Sequence, residues 1–277
     1  MTSLGRLFSE HGFRPRRSQG QNFLVDREML DRIERTVDCP PGDILLEVGG
    51  GTGLLTERLL KLCRPLLVVE KDPKLHALLE RKFMTATAFQ LVKADILEMD
   101  LAACAPLPPG RIVLAGNIPY YLTTPLIIRT LSDYKGLFRR IYLMVQREVA
   151  DRLRARPGTK AWGALSVCAS YYSRVTVHFT VPAASFQPAP KVESAFISLE
   201  PFEKTALEGK SEELFFRMVR AVFQSRRKTL WNSLKLLGKS TDVVRAGIEK
   251  AGLSPEVRGE TLDLPALILL SKALENG

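Results

Sequence analysis

Ile44-Leu45-Leu46-Glu47-Val48-Gly49-Gly50-Gly51-Thr52-Gly53 is the stretch that decides the fold. An apolar run, a glycine turn, and then Leu54, Leu55, Leu59 and Leu60 at helical spacing make strand, loop and helix in that order. This is the first unit of a nucleotide-binding α/β sheet, in which missing side chains let a ligand press against the backbone. Leu54 stands where a dinucleotide fingerprint places its last glycine, so a nicotinamide cofactor is disfavoured.

Toward the C-terminus, the apolar run Leu66-Leu67-Val68-Val69 ends in Glu70, nineteen residues after Gly51. A carboxylate there can accept hydrogen bonds from both hydroxyls of a ribose; the plainer alternative is a solvated strand end. Asp72 then caps a helix with Pro73 at its first position. A third strand near Phe89-Gln90-Leu91-Val92 leads to Asp95, either an acceptor for the amino group of a bound adenine or an ordinary turn aspartate. The fourth strand, Ile112-Val113-Leu114-Ala115, delivers Asn117-Ile118-Pro119-Tyr120. The Asn117 carbonyl can accept from the exocyclic amine of a planar base, Pro119 fixes the local backbone, and Tyr120 offers a face for stacking. An Asn and a Pro can also simply end a strand. The next helix is expected from about Thr124, and a charged one from Gln146 to Arg156.

Toward the N-terminus, Gln21-Asn22-Phe23-Leu24 precedes Asp26, the expected cap of a helix carrying Met29, Leu30, Ile33 and Val37 on one face; alone, it reads as a hydrophobic staple. The basic start, with Arg6, Arg14, Arg16 and Arg17, suits a short nucleic-acid-facing arm better than a transit peptide.

Farther along, alternation over Arg174–Val181 and Val192–Leu199 signals an antiparallel edge to the sheet. Between them lies Phe186-Gln187-Pro188-Ala189-Pro190-Lys191-Val192. Its prolines stiffen the loop, so Phe186 is either a second aromatic opposite Tyr120 or a core plug, and Lys191 adds a charge for phosphate. Beyond a linker at 201–209 the pattern is all helical. Between Lys210 and Lys239 eight basic residues stand against Glu212 and Glu213. Arg226, Arg227 and Lys228 gather at a helix junction near Trp231, which suits an RNA phosphate backbone better than a bilayer, unless the run is a solvated face. The expected division is thus 1–203 for an α/β domain and 204–277 for a smaller all-α domain.

A chain of 277 residues with 45% apolar content can bury a core for both. Its formal charge of +10 calls for a polyanionic partner. Cys39, Cys63, Cys104 and Cys168 form no Cys-x-x-Cys pair and have three histidines to join them, which disfavours a metal site or a disulfide framework and fits a reducing, cytoplasmic setting. With no apolar run long enough to span a bilayer and no signal-peptide core, a soluble protein without a membrane partner is expected.

Taken together, Gln21–Leu24, Glu47–Gly53, Asn117–Tyr120, Phe186–Val192 and Arg226–Leu230 resemble, in order, the motifs of the ribosomal RNA adenine dimethyltransferases that use S-adenosylmethionine and modify small-subunit RNA. The resemblance implies a Rossmann-like, mostly parallel methyltransferase sheet with an antiparallel edge, and a helical RNA-binding domain. It places Asn22, Leu24, Gly49, Gly51, Glu70, Asp95 and Asn117 against S-adenosylmethionine, and Asn117, Tyr120 and Phe186 at the target base. It implies small-subunit RNA or a pre-ribosomal particle as partner of a monomer. One departure is Gly50, where relatives usually carry proline, expected to loosen the loop slightly. Two other readings stay open: a large-subunit adenine methyltransferase of the antibiotic-resistance type, which shares the tetrad and the proline loop, and a non-catalytic RNA or DNA binder on the same fold. The basic stretch from Gln224 to Leu237 and the Tyr120-Tyr121 pair favour the small-subunit enzymes; intact Glu70, Asp95 and Asn117 favour catalysis.

Overall fold

Glycine turns and helix caps punctuate alternating strands and helices in a computed structural model that describes residues 20–62, 65–104, 110–225 and 227–275. In chain order these are β1 (Phe23–Leu24), α1 (Arg27–Thr36), β2 (Ile44–Val48), α2 (Leu54–Leu59), β3 (Leu66–Val69), α3 (Pro73–Lys82), β4 (Phe89–Val92), β5 (Ile112–Gly116), α4 (Tyr120–Ser132) and β6 (Phe138–Gln146). There follow α5 (Arg147–Leu153), α6 (Ala164–Tyr172), β7 (Ser173–Val181), β8 (Phe186–Gln187), β9 (Ser194–Pro201), α7 (Gly209–Phe223), α8 (Leu230–Leu234), α9 (Thr241–Lys250) and α10 (Leu264–Glu275).

Seven strands form one sheet in the order β4-β3-β2-β5-β6-β9-β7. The five strands from β4 to β6 pair in parallel, and β9 runs antiparallel to β6. This is the mixed α/β sheet expected, with strand order reversing beside β2, where doubly wound sheets take their ligands. The central strands are buried on both faces, which is why they read as continuous apolar runs rather than alternating ones. Asp26 caps α1 by accepting from the Glu28 and Met29 amides, and Asp72 caps α3 by accepting from Lys74 and Leu75.

Two expected helix limits move. Helix α4 starts at Tyr120, not near Thr124, because Pro119 takes the cap position; Pro125 lies inside the helix. Helix α5 ends at Leu153, ahead of Pro157 and Gly158.

The chain divides into two compact units: one runs to Ala150 and includes Val175–Pro201, the other comprises Asp151–Arg174 and the chain from Phe202. The division is therefore not the single cut between 203 and 204. Residues 151–174 go with the helical unit because α6 brings Tyr171 and Tyr172 against α7. The Tyr171 ring stacks 5.0 Å from Phe215 and Tyr172 stacks 5.2 Å from Phe216, while both tyrosine hydroxyls bond to the buried Glu212 carboxylate. Within the same unit, Trp162 donates its indole N–H to the Leu262 carbonyl at 3.1 Å. No described helix is long and apolar enough to cross a membrane.

Candidate active site

The carboxyl ends of β2, β3 and β5 and the turn after β4 line a cavity of about 340 Å³, a size suited to a small cofactor. Its floor is the glycine loop. Gly49, Gly51 and Gly53 have φ of 75°, 55° and 76°, values that any side chain would make costly. Gly50 matters for another reason: a Cβ there would stand 2.7 Å from Val68 Cγ1 and from Leu79 Cδ1. Those two side chains fill the room a proline ring would need. The departure from proline thus coincides with close packing around Gly50.

Glu70, 7% exposed, is locked to this loop. Its Oε2 accepts the Gly51 amide at 3.0 Å and its Oε1 accepts the Asp72 amide at 2.8 Å. Burial pushes the carboxyl above its ordinary value of 4.5, while the amides pull it back. Each oxygen keeps acceptor capacity, the complement of two neighbouring hydroxyls.

Asp95 is a turn aspartate that also borders the cavity. Its Oδ1 accepts the Leu97 amide at 3.0 Å, as a turn aspartate does, and Oδ2 lies 2.5 Å from the Lys71 ammonium. That ammonium holds the carboxyl below its usual range, so it is an ionised acceptor at the cavity wall. Lys71 itself lines the cavity, a placement that its position after Glu70 signalled but that the reading of a helix start passed over.

At the end of β5, Asn117 donates its side-chain N–H to the Asn22 backbone carbonyl at 3.1 Å. The bond fixes the amide's nitrogen toward Asn22, and Oδ1 is the atom of this amide that can accept from an amine. Asn22 stands beside β1, which pairs antiparallel with β8, Leu24 facing Phe186 and Phe23 facing Gln187. Asn22, Leu24, Gly49, Gly51, Glu70, Asp95 and Asn117 all border this one cavity.

The two aromatics expected at the target base are placed differently. Phe186 is 4% exposed and packs in the apolar core with Leu24, Met29 and Ile33. It does not border the cavity; of its two readings, the core plug describes this conformation, because the β1–β8 ladder draws its side chain inward. Tyr120 is half-buried, with its hydroxyl 2.7 Å from Ser194 Oγ, and also stands outside the cavity lining. Its neighbour Tyr121 borders the cavity and is 64% exposed.

Behind the loop, Glu47 on β2 is fully buried, and neither carboxylate oxygen has a hydrogen-bond partner. Burial pushes it up to about 8. The Thr56 hydroxyl favours the ionised form, yet no hydrogen bond of normal geometry joins the two.

Lys191 is exposed on the first unit, and Arg227 and Lys228 are exposed on the second, in the turn before α8. Arg226 and the basic arm with Arg6, Arg14, Arg16 and Arg17 lie outside the described residues.

Comparison with known proteins gives a consistent result. The profile of the family described as "Ribosomal RNA adenine dimethylase" matches residues 12–260. The "Ribosomal RNA small subunit methyltransferase A" of Geobacter metallireducens is 44% identical over 95% of this chain and 96% of its own length. The protein of that name from Pseudomonas putida is 41% identical over 96% of this chain and 97% of its own. Among solved structures, a dimethyladenosine transferase from Plasmodium falciparum shares the fold with a TM-score of 0.75 at 24% identity, over 90% of this chain and 95% of that one. The 23S rRNA methyltransferase ErmE superposes with a TM-score of 0.69 at 28% identity, over 92% of this chain and 100% of that one.

Proposed function

The chain belongs to the ribosomal RNA adenine dimethylase family, and from that premise we propose that it is an S-adenosylmethionine-dependent enzyme that places two methyl groups on the N6 nitrogen of adenosines in small-subunit ribosomal RNA. The observation that carries the reading is the orientation of Asn117. One of its amide N–H groups donates to the Asn22 carbonyl, and the residue borders the same cavity as Glu70 and Asp95. The residues fit the cofactor. Glu70 offers two acceptor oxygens for a ribose diol, Asp95 an acceptor for an adenine amine, and the left-handed glycines a backbone without side chains. When bound, S-adenosylmethionine supplies an activated methyl group.

The rest is the work of this chain. An adenine amino nitrogen is a weak nucleophile because its lone pair is delocalised into the ring. By accepting one of its N–H bonds, Asn117 Oδ1 favours a pyramidal nitrogen, with its lone pair directed into the cavity. No protein nucleophile is required; positioning and electrostatic complementarity supply the acceleration. The base must leave its stack first, and Tyr120, at the head of α4, is assigned to receive it. Exposed Lys191, Arg227 and Lys228, with Arg226, contact phosphate. The +10 charge and the separated cysteines support a cytoplasmic protein that binds RNA as a monomer.

The likeness to ErmE favours a second reading, methylation of large-subunit RNA. Labelled methyl transfer from S-adenosylmethionine to under-methylated small and large subunits separates them. Incorporation into small-subunit adenosines, with dimethyladenosine recovered on digestion, is expected. Incorporation confined to the large subunit establishes the second reading, and cofactor binding with no transfer to either defeats both.

A further inference from the structure

Tyr120 is the first residue of α4. At that position no preceding turn of helix restricts χ1, so all three staggered rotamers are open to its ring. In the structure one is selected. The Tyr120 hydroxyl lies 2.7 Å from Ser194 Oγ, seventy-four residues away in sequence. Ser194 is fully buried and is the first residue of β9, in register with Gln146 at the end of β6. The residue before it, Glu193, accepts the Arg147 amide at 3.0 Å and pairs with the Arg147 guanidinium at 3.3 Å. The sheet, and not a mobile loop, thus fixes the serine hydroxyl. The ring is held at both ends, by its Cα at the head of a helix and by its hydroxyl at the rim of the sheet.

We propose that Ser194 is a positioning residue for the methyl-accepting base, one that acts through Tyr120 by holding the ring at a single angle against an unstacked adenine. The inference rests on the assignment of Tyr120 to the target-base site. It has a consequence specific to dimethylation. In each transfer the N6 nitrogen would take the methyl from the cofactor's sulfonium, the S–CH3 bond breaking to leave a thioether, and the displaced N6 proton would pass to water. After the first, the base carries a substituent that must be turned away before the nitrogen can be presented again. A ring free to change rotamer gives up more of that second alignment than of the first, so loss of the tether slows the second transfer more.

The test compares Ser194→Ala, Tyr120→Phe, the double variant and Tyr120→Ala on under-methylated small subunits. Cofactor affinity and the ratio of monomethyl to dimethyl adenosine are read alongside kcat and KM. Ser194→Ala and Tyr120→Phe remove the same bond, and each is expected to lower kcat by about three- to tenfold, leave cofactor affinity unchanged and raise the monomethyl fraction. The double variant should be no worse than either single one. A merely structural loss would reduce active enzyme and leave the product ratio at the wild-type value, and that result overturns the proposal. So does additivity of the two single changes. If Tyr120→Ala retains full activity, the assignment of Tyr120 is wrong; if Tyr120→Ala is inactive while Ser194→Ala matches wild type, that assignment stands and the role of Ser194 alone falls.

Discussion

The side-chain nitrogen of Asn117 and the backbone oxygen of Asn22 are 3.1 Å apart, joining the strand that ends in the tetrad to the segment that precedes β1. Under the proposed function, this bond favours the amide orientation that offers Oδ1 to the substrate amine. Asn117→Asp removes the donor and sets a carboxylate against the Asn22 carbonyl, so the side chain must turn away. We expect both Asn117→Asp and Asn117→Ala to lower methyl transfer by roughly a hundredfold or more, as removal of a transition-state contact does. RNA binding in a filter or gel assay should stay within about twofold of wild type, since phosphate contacts dominate it. A variant that transfers methyl at the wild-type rate would remove Asn117 from the reaction.

Glu70 must be ionised to accept from two hydroxyls at full strength. Burial raises its carboxyl above 4.5, so it takes up a proton at a higher pH than an exposed glutamate does. Cofactor affinity, measured by calorimetry across the acid range, should begin to weaken as pH falls while exposed carboxylates are still ionised. Glu70→Gln should bind the cofactor roughly tenfold or more weakly at neutral pH and lose that acid limb. An acid limb unchanged in Glu70→Gln would assign it to another group.

Glu47 gives a prediction about stability. Its carboxyl moves from 4.5 to about 8 on folding, so the folded protein holds a proton that the unfolded chain has released. The contribution of Glu47 to stability therefore falls as pH rises from about 4.5 to about 8, and is constant above that. Glu47→Gln imitates the protonated form. It should unfold at higher denaturant than wild type at pH above 8, by on the order of a few kcal/mol, and match it at pH below 4.5. Equal differences at both ends would show that packing, not ionisation, sets the effect.

Arg227 and Lys228 are exposed in the turn before α8. Replacing both by Ala should weaken RNA binding and lower the slope of log affinity against log salt by about one for each phosphate left without its cation. Cofactor affinity should not change. A slope identical to wild type would exclude this turn from the interface.

Much of the site was legible because it is local. A strand, the turn after it and the first residue of the next helix are consecutive in sequence, so the glycine loop, Glu70, Asp95 and Asn117 each announced itself by what preceded it. The sheet followed from the same alternation. What escaped depends on contacts between distant segments. Phe186 lies in the core of the described conformation and pairs with Leu24 in the β1–β8 ladder, and neither neighbourhood alone says so. Residues 151–174 join the helical unit through Tyr171, Tyr172 and Glu212, a cluster with no motif. In sequence Glu47 reads only as part of the strand that leads into the glycine loop; its isolation is a property of the packing around it.

The closure of β1 on β8 also has a bearing on when the protein becomes an enzyme. Ser185 Oγ donates to the Asp26 cap at 2.8 Å across 159 residues of sequence, and its carbonyl accepts the Val25 amide. A nascent chain that has emerged only as far as Tyr120 already contains Gly49, Glu70, Asp95 and Asn117. Its N-terminal wall, however, has no strand to pair with until residues 185–187 arrive. Contacts of such long range form late, because closing the loop costs entropy before the contact repays it. Synthesis thus runs well past Asn117 before the wall can close, and ribosome-bound chains ending before β8 should be silent toward RNA.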